Sequence, residues 1–292
     1  MKILTEKRCV IGEGPIWNER EEKLYFTNGF QRELCIYDFK REQLCIRALP
    51  FGVSALAFDR QNRIIVSLAK GVYILNDDDT LTPLYDTKKY QIQHAGDMKV
   101  GPDGALYVGT VSEKFWGISD RVDGKLYRIS QNGELKILLD GLSLSNGLDW
   151  SMDEKIFYHA DTGAATIKEY FFDKNTGEIS FSGRQVCVEG VDGFTMGQDN
   201  CLYVSCAWKK YIAVIDCETL TIKSYINFQD TFPMSCAFCG KDMDVLAVTT
   251  ASDTADLTRD KNAGFTILQK MDVTGRKPYL YPLRSKNEGE NL

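Results

Sequence analysis

The stretch SNGLDWSMDEKIFYHADT, residues 145–162, is typical of a β-hairpin. Leu148 and Trp150 form an apolar run that ends in a polar turn, and a second apolar run follows at 156–158. Asn146 stands just before the first predicted strand. It is either a turn residue or a side chain that binds a ligand. Equivalent positions in the other repeats of the chain help to distinguish these two roles.

Five other stretches share the pattern of an apolar anchor, a polar turn and a short β-rich strand: GEGPIWNEREEKLYFTN (12–28), VSALAFDRQNRIIVSL (53–68), AGDMKVGPDGALYVGT (95–110), VDGFTMGQDNCLYVSC (191–206) and MSCAFCGKDMDVLAVTT (234–250). The anchors recur about every 40 to 50 residues, a period typical of four-stranded propeller blades. They are Trp17, Phe58, Val100, Trp150, Met196 and Phe238.

No long segment shows helical periodicity, so the sequence predicts an all-β fold. We expect a single six-bladed β-propeller spanning residues 1–285. The N-terminal and C-terminal strands are expected to close the ring, because closure removes exposed sheet edges. Residues 286–292 are expected to form a tail.

The composition argues against several classes of function. The net charge of −6, with no basic run, disfavours nucleic-acid binding. No apolar stretch approaches the ~18 residues of a membrane span, and the first residues lack the apolar region of a signal peptide. Nine scattered cysteines are expected to be buried free thiols, which predicts a cytoplasmic protein without membrane contact. The lone CxxC at Cys236 and Cys239 has no second pair to complete a zinc site.

The repeat also predicts a metal site. In a propeller the inner strand of each blade begins at the mouth of the central channel. Four residues before each anchor stand six equivalent positions, called here the mouth positions: Glu13, Ser54, Gly96, Asn146, Asp192 and Met234. The carboxylates and the amide among them are ligands that suit Ca²⁺, Mg²⁺ or Mn²⁺, whereas zinc more often recruits His or Cys. Each polar residue could instead cap a turn, but their shared position favours one divalent cation.

Several stretches resemble the regucalcin-like family, also called the senescence marker protein/gluconolactonase family: GEGPIW, SNGLDWSMDEKIFY, VDGFTMGQDNCLYVSCAW and SCAFCGKD. The resemblance covers nearly the whole chain, with matching blade order. It implies a six-bladed propeller with one divalent metal at the channel mouth and a lactonase activity on the lactones of sugar acids. Ca²⁺ is the expected ion, with Mg²⁺, Mn²⁺ or Zn²⁺ as alternatives. The family's metal-binding residues match Glu13, Asn146 and Asp192.

Blade three departs from the family pattern. Lactonase members carry an Arg-x-Asn-Asp-Gly stretch that holds the substrate, whereas this chain reads HAGDM at 94–98 and keeps only Asp97. An acidic residue that contacts the sugar in some members falls near Lys114. The loop 112–123 could wall the substrate pocket, or it could be a surface loop around one buried aromatic side chain. We expect four substrate contacts: His94, Asp97, Glu113 and Trp116.

The predicted function is that of a metal-dependent hydrolase that opens a sugar-acid or similar small lactone. The cation would polarise the lactone carbonyl, and Asp192 would activate water as general base. Hydroxide on the cation is the alternative nucleophile. Two other functions fit the same residues: hydrolysis of phosphotriesters or other esters, and a non-catalytic propeller that holds the metal for structure. The sequence predicts no oligomeric state.

Overall fold

The computed structural model describes residues 1–4 and 7–282, which form six four-stranded antiparallel sheets. The inner strands of neighbouring sheets contact each other in a closed ring, so the predicted all-β six-bladed propeller is confirmed. Blade one contains β2 Gly12–Asn18, β3 Lys23–Asn28, β4 Glu33–Asp38 and β5 Gln43–Ala48. Blade two contains β6 Ala55–Phe58, β7 Ile64–Leu68, β8 Gly71–Leu75 and β9 Leu81–Pro83. Blade three contains β10 Ala95–Val100, β11 Leu106–Thr110, β12 Gly124–Ile129 and β13 Leu135–Leu142.

The other three blades follow in chain order, except that blade six combines three strands from the C-terminal part of the chain with one strand from the N-terminus. Blade four contains β14 Ser145–Trp150, β15 Ile156–Asp161, β16 Thr166–Asp173 and β17 Glu178–Cys187. Blade five contains β18 Val191–Met196, β19 Cys201–Cys206, β20 Tyr211–Asp216 and β21 Thr221–Asn227. Blade six contains β22 Phe232–Cys239, β23 Val245–Ala251, β24 Ile267–Lys270 and β1 Lys2–Ile3.

Blade six joins the two ends of the described chain. Lys2 and Ile3 of β1 pair with Leu268 and Ile267 of β24. The backbone amide of Cys9 also donates to the carbonyl of Gly264 at 2.7 Å. The outer edge of β24 is therefore covered by an N-terminal strand. The predicted tail 286–292 lies outside the described residues.

Helical structure is nearly absent from the described residues. A single 3₁₀ turn, Gly29–Gln31, connects β3 to β4. It ends at Arg32, whose φ of 56° is left-handed and whose amide donates back to the Gly29 carbonyl. Within residues 1–4 and 7–282, no helix has the length and apolar character needed to cross a membrane.

Apolar side chains of the inner strands pack between neighbouring blades. All six predicted anchors are buried, and Trp150 is completely so. Its ring lies 4.8 Å from Tyr107 of blade three and 5.0 Å from Phe157 of its own blade, measured between centroids. The outermost strands β5, β17 and β21 consist only of exposed and half-buried residues. The core therefore lies between the blades and close to the channel.

Strand pairing defines two faces of the ring. The start of each inner strand pairs with the end of the second strand, for example Ala95 with Thr110 and Val191 with Cys206. The connections between second and third strands therefore lie at the end where the inner strands begin, which we call the mouth face. The turns between first and second strands lie at the opposite end, which we call the far face.

A C-terminal segment, residues 271–282, crosses the far face. Gly275 forms a β-bridge with Gly197, and Tyr281 forms one with Asp59. The Tyr281 hydroxyl donates to the Ser130 carbonyl at 2.5 Å. These contacts reach blades five, two and three, so the segment covers the far end of the channel.

The cysteines depart in part from their predicted burial. All nine are free thiols, and seven of them are buried. Cys45 and Cys187 are exposed, because they lie on the outermost strands β5 and β17, where alternate side chains face solvent. Cys236 and Cys239 both lie within β22 and are buried in the core.

Candidate metal centre

The inner strands are irregular where they reach the mouth face. In five of them the pairing register shifts near the start of the strand, between Glu13 and Ile16, Ala95 and Met98, Ser145 and Leu148, Val191 and Phe194, and Pro233 and Ser235. A bulge bends a strand and redirects its side chains. The inner strand β6 of blade two has no such shift. The three predicted metal ligands therefore stand at or beside bulges.

Glycines next to the predicted ligands allow neighbouring inner strands to approach closely. A Cβ atom on Gly147 would lie 2.5 Å from the carbonyl oxygen of Asp192, and one on Gly193 would collide with the Ser235 hydroxyl. Both positions therefore require glycine. Asn146 and Asp192 each precede one of these glycines, so the close approach brings the two side chains together.

Glu13, Asn146 and Asp192 converge at the mouth. Burial raises the pKa of the Glu13 carboxyl well above its usual range, and the charges of Asp192 and Asp97 raise it further. Burial and the charge of Asp97 also raise the pKa of Asp192, which a hydrogen bond from Asn146 partly offsets. We call Glu13, Asp97 and Asp192 the acidic cluster.

Asp192 carries the clearest sign of a missing partner. Its side chain is 4% exposed, and its Oδ1 atom has no hydrogen-bond partner within the described residues. A buried carboxylate oxygen without a partner is costly. A cation held between Asp192, Glu13 and the Asn146 amide would supply that partner, and an all-oxygen donor set fits Ca²⁺, Mg²⁺ or Mn²⁺.

The donor set differs from sites built on His and Cys. In the part of the chain that the structure describes, no three His, Cys, Asp or Glu side chains form a group that could hold a metal ion. The predicted set contains two carboxylates and the amide of Asn146. Asp97, the third carboxylate nearby, accepts a hydrogen bond from the Met98 amide at 2.8 Å.

Asn146 is held by groups that the sequence reasoning missed. Its Nδ2 atom donates to the Thr162 hydroxyl at 3.2 Å, and that hydroxyl donates to the Val191 carbonyl at 2.7 Å. One residue earlier, Ser145 Oγ lies 2.7 Å from Nε2 of the buried His159. Thr162 and His159 both lie within the quoted hairpin, but only the strand pairing reveals that they face Asn146 and Ser145.

Below the acidic cluster, a cavity of about 80 Å³ continues into the channel and is lined by Asp97, Lys99, Asp149 and Arg276 together with apolar side chains. Lys99 Nζ donates to Asp149 at 2.9 Å, and Arg276 pairs with the same carboxylate. Burial alone would raise the pKa of Asp149, but Lys99 and Arg276 hold it below its usual value. Arg276 comes from the C-terminal segment, so no sequence signal connected it to the channel.

Of the predicted substrate residues of blade three, Asp97 belongs to the acidic cluster and His94 lies three residues before it in the chain. His94 immediately precedes β10, is half-buried and has a left-handed φ of 54°. A Cβ atom on Gly96 would lie at ordinary contact distance from its neighbours, 3.7 Å from Val111 Cγ2 and 3.9 Å from the Ser145 carbonyl oxygen. The altered HAGDM stretch therefore leaves room for about one methyl group between β10 and the start of β14.

Glu113 and Trp116 lie on the mouth-face loop 112–123. The Glu113 carboxylate accepts hydrogen bonds from Ser119 at 2.7 Å and from Arg121 Nε at 3.0 Å, and both contacts lower its pKa. Trp116 is 51% exposed and contacts Phe115 edge-to-face. Both aromatic side chains of this loop are exposed, so the expectation of one buried aromatic is wrong.

Comparison with known proteins gives a consistent result. Residues 11–252 match the family described as SMP-30/Gluconolactonase/LRE-like region. A putative sugar lactone lactonase, YvrE, from Bacillus subtilis is 30% identical over 257 residues, 85% of this chain and 86% of that protein. Regucalcin from Bos taurus is 27% identical over 292 residues, 96% of this chain and 98% of that protein. The resemblance found in the sequence is confirmed.

Solved structures support the fold. The crystal structure of a calcium-binding protein, regucalcin, from Agrobacterium tumefaciens superimposes with a TM-score of 0.85 at 22% identity. The match covers 96% of this chain and 97% of that one. At this identity the likeness supports the six-bladed architecture, and the chemistry must be argued from the residues.

Proposed function

Because the chain belongs to the SMP-30/gluconolactonase/LRE-like family, we propose that it is a metal-dependent hydrolase that opens a small lactone. Membership of this lactonase-like family supports lactone hydrolysis as the reaction. The observation that carries the metal requirement is the Oδ1 atom of Asp192, which is buried without a partner beside two other carboxylates. Lactones are esters, so the reaction is a carboxylic ester hydrolysis.

We propose that Glu13, Asn146 and Asp192 hold one divalent cation, with Ca²⁺ as the expected ion. When bound, such a cation would polarise the lactone carbonyl and stabilise the negative charge that develops on its oxygen. Mg²⁺ and Mn²⁺ share the preference for oxygen ligands. Zn²⁺ is the weakest candidate because no His or Cys stands at a mouth position.

The residues of the chain have separate proposed tasks. Glu13 and Asn146 would hold the cation, and the hydrogen bond to Thr162 keeps Asn146 in place. Asp192 would bind the cation through Oδ1, and its other carboxylate oxygen would accept a proton from the attacking water while the water oxygen bonds to the carbonyl carbon. The ester C–O bond then breaks, and the proton passes from Asp192 to the leaving alkoxide. The product is a hydroxy acid.

Substrate contacts are proposed for the four residues expected from the sequence. Asp97 lies within the acidic cluster and His94 immediately precedes the same inner strand, and these positions support contacts from both residues to a bound ring. Trp116 lies on the mouth-face loop of the same blade. Glu113 already binds Arg121 and Ser119, so a substrate hydroxyl would have to replace one of these contacts.

The proposed partner is a small-molecule substrate, and the proposed location is the cytoplasm. The location is supported by nine cysteines that form no disulfide although all lie within the described residues. The acidic net charge of −6 supports the absence of a nucleic-acid partner.

The experiment that tests the proposed function is hydrolysis of a lactone panel, followed by proton release, before and after removal of metal by a chelator. We expect turnover to be lost on chelation and restored by Ca²⁺, Mg²⁺ or Mn²⁺ added singly. A parallel phosphotriester panel separates the ester-hydrolase alternative. Metal binding without turnover of either panel would favour the non-catalytic propeller and contradict the proposal.

A further inference from the structure

A cationic side chain, Lys99, lies inside the channel below the acidic cluster. It follows Asp97 by two residues on β10, and both residues line the cavity that continues into the channel. Lys99 is half-buried, whereas Lys70 and Lys114 on the mouth face are exposed. Lys99 therefore brings a positive charge close to the mouth from within the channel, where solvent screens it less than at the rim.

Contacts to two neighbouring blades fix the position of this ammonium group. Lys99 Nζ donates to the Asp149 carboxylate of blade four at 2.9 Å and to the Phe194 carbonyl of blade five at 3.1 Å. Phe194 follows Asp192 by two residues on β18, and two residues of a strand span roughly 7 Å. The ammonium therefore lies close below Asp192 as well as close to Asp97.

The charge of Lys99 is not needed to neutralise Asp149. That carboxylate already pairs with Arg276. Its oxygens also accept hydrogen bonds from the backbone amides of Trp150 at 2.8 Å and Met196 at 3.1 Å. Asp149 and Arg276 form a neutral pair by themselves, so Lys99 leaves one positive charge in excess at this level of the channel.

The acidic cluster has an excess of the opposite sign. Among residues 1–4 and 7–282, Lys99 is the only cationic side chain that lowers the pKa of a member of the cluster, and that member is Asp97. With its three carboxyl groups ionised, the cluster together with Lys99 has a net charge of −2. One divalent cation neutralises this charge, whereas a trivalent ion leaves an uncompensated positive charge in a buried site.

We propose that Lys99 tunes the mouth to divalent cations, because its charge lowers the affinity for a trivalent ion more than the affinity for a divalent one. This inference rests on the cation site of the proposed function. Lys99 is not a ligand in this arrangement and acts only through its charge. Repulsion between Lys99 and a bound ion grows in proportion to the charge of that ion. The residue is therefore a determinant of metal selectivity.

The test compares Ca²⁺ with Tb³⁺, a trivalent ion of similar size that also prefers oxygen ligands. Affinities are measured by isothermal titration calorimetry on chelator-treated protein, with a competing chelator where binding is tight. In Lys99→Met, which keeps the length of the side chain and removes its charge, both affinities should rise. The ratio of Tb³⁺ to Ca²⁺ affinity should increase at least about fivefold. On a logarithmic scale the change for Tb³⁺ should be about 1.5 times that for Ca²⁺, as the two ionic charges require.

Two matched variants separate charge from other effects of the substitution. Lys99→Arg keeps the positive charge, and its affinity ratio should stay within about twofold of the unmodified protein. Arg276→Met removes the other cationic partner of Asp149, but Arg276 comes from the far-face segment and lowers the pKa of no member of the acidic cluster. The affinity ratio should therefore change less in Arg276→Met than in Lys99→Met.

Charge compensation provides a second test, which also serves if Lys99→Met alone does not fold. Asp97→Asn removes one negative charge from the cluster, so both affinities should fall, that for Tb³⁺ more than that for Ca²⁺. The double variant Asp97→Asn with Lys99→Met has the net charge of the unmodified protein, and its affinity ratio should return toward the original value. Comparison of the double variant with Asp97→Asn isolates the effect of Lys99.

The failures of this inference and of the proposed function are distinct. An affinity ratio that is unchanged on loss of the Lys99 charge would overturn the inference and leave the metal-dependent lactonase standing. The expected change in the ratio without turnover of any lactone would support the inference and contradict the proposed function. If neither ion binds to the unmodified protein, the metal requirement and the inference are both wrong.

Discussion

The buried carboxylates at the two ends of the channel have opposite pKa shifts. Asp192 at the mouth and Asp149 toward the far end are equally buried, each 4% exposed. Beside Asp192 stands Asp97, and the pKa of Asp192 is raised by burial and by that charge. Beside Asp149 stand Lys99 and Arg276, which lower its pKa below the usual value despite burial. In this fold an inner-strand aspartate is therefore structural where cationic side chains neutralise it, and it is available to a ligand where they do not.

The strongest test of this difference is Asp192→Asn. We expect kcat/KM for the best lactone to fall about 10²- to 10⁴-fold, because the proton acceptor is lost. The thermal stability of the metal-free protein should stay equal or rise, since a costly buried carboxylate is removed. Enzyme kinetics and thermal melts on the same preparation check both expectations. Activity within about twofold of the unmodified protein would contradict the site.

Asp149→Asn should have the opposite character. It leaves Lys99 and Arg276 without their carboxylate, and breaking such a buried pair costs about 3 kcal/mol in the free energy of unfolding. Urea denaturation measures this loss. The matched control is Asp153→Asn, which alters an exposed far-face turn. Equal stability of the two variants would show that the ion pairs under the cavity are not structural.

His159 is a third buried titratable group, and burial keeps it neutral. It lies next to Ser145, at the start of the inner strand of blade four. Burial lowers its pKa to about 4. As pH falls below the usual His pKa of about 6.5, the unfolded chain takes up this proton and the folded chain does not. Folding stability should therefore fall by about 3 kcal/mol between about pH 6.5 and pH 4.

The variant His159→Gln should remove this part of the acid dependence, because glutamine does not titrate. Urea denaturation at a series of pH values measures the slope for each protein. A variant with the same slope as the unmodified protein would show that His159 is protonated in the folded state and would contradict its assigned burial.

The smallest expected effect compares two mouth positions. Glu13→Gln should weaken Ca²⁺ binding at least about tenfold, because a carboxylate ligand becomes a neutral amide. Ser54→Ala changes the mouth position of blade two, where no ligand is proposed, and should leave the affinity unchanged. Isothermal titration calorimetry on chelator-treated protein measures both. Equal affinities for the two variants would remove Glu13 from the proposed metal site.

The sequence by itself determined the six-bladed architecture and the end of the channel at which the proposed metal site lies. Six anchors at a regular period fix the number of blades, because each repeat buries its anchor only against the next one. The same period places Glu13, Asn146 and Asp192 at equivalent starts of inner strands. In a closed ring, equivalent positions of all blades face the central axis at the same height. Counting along the chain was therefore enough to predict that these three residues lie close together.

Only the tertiary structure decided which side chains surround the proposed metal ligands. Arg276 reaches Asp149 from 127 residues away, and Thr162 orients Asn146 across a strand pair. The pairing of Glu113 with Arg121 and the exposure of Trp116 also depend on how a loop folds. A repeat specifies backbone positions, whereas charge pairing and exposure arise from contacts between segments that share no period. Composition alone leaves both of these undetermined.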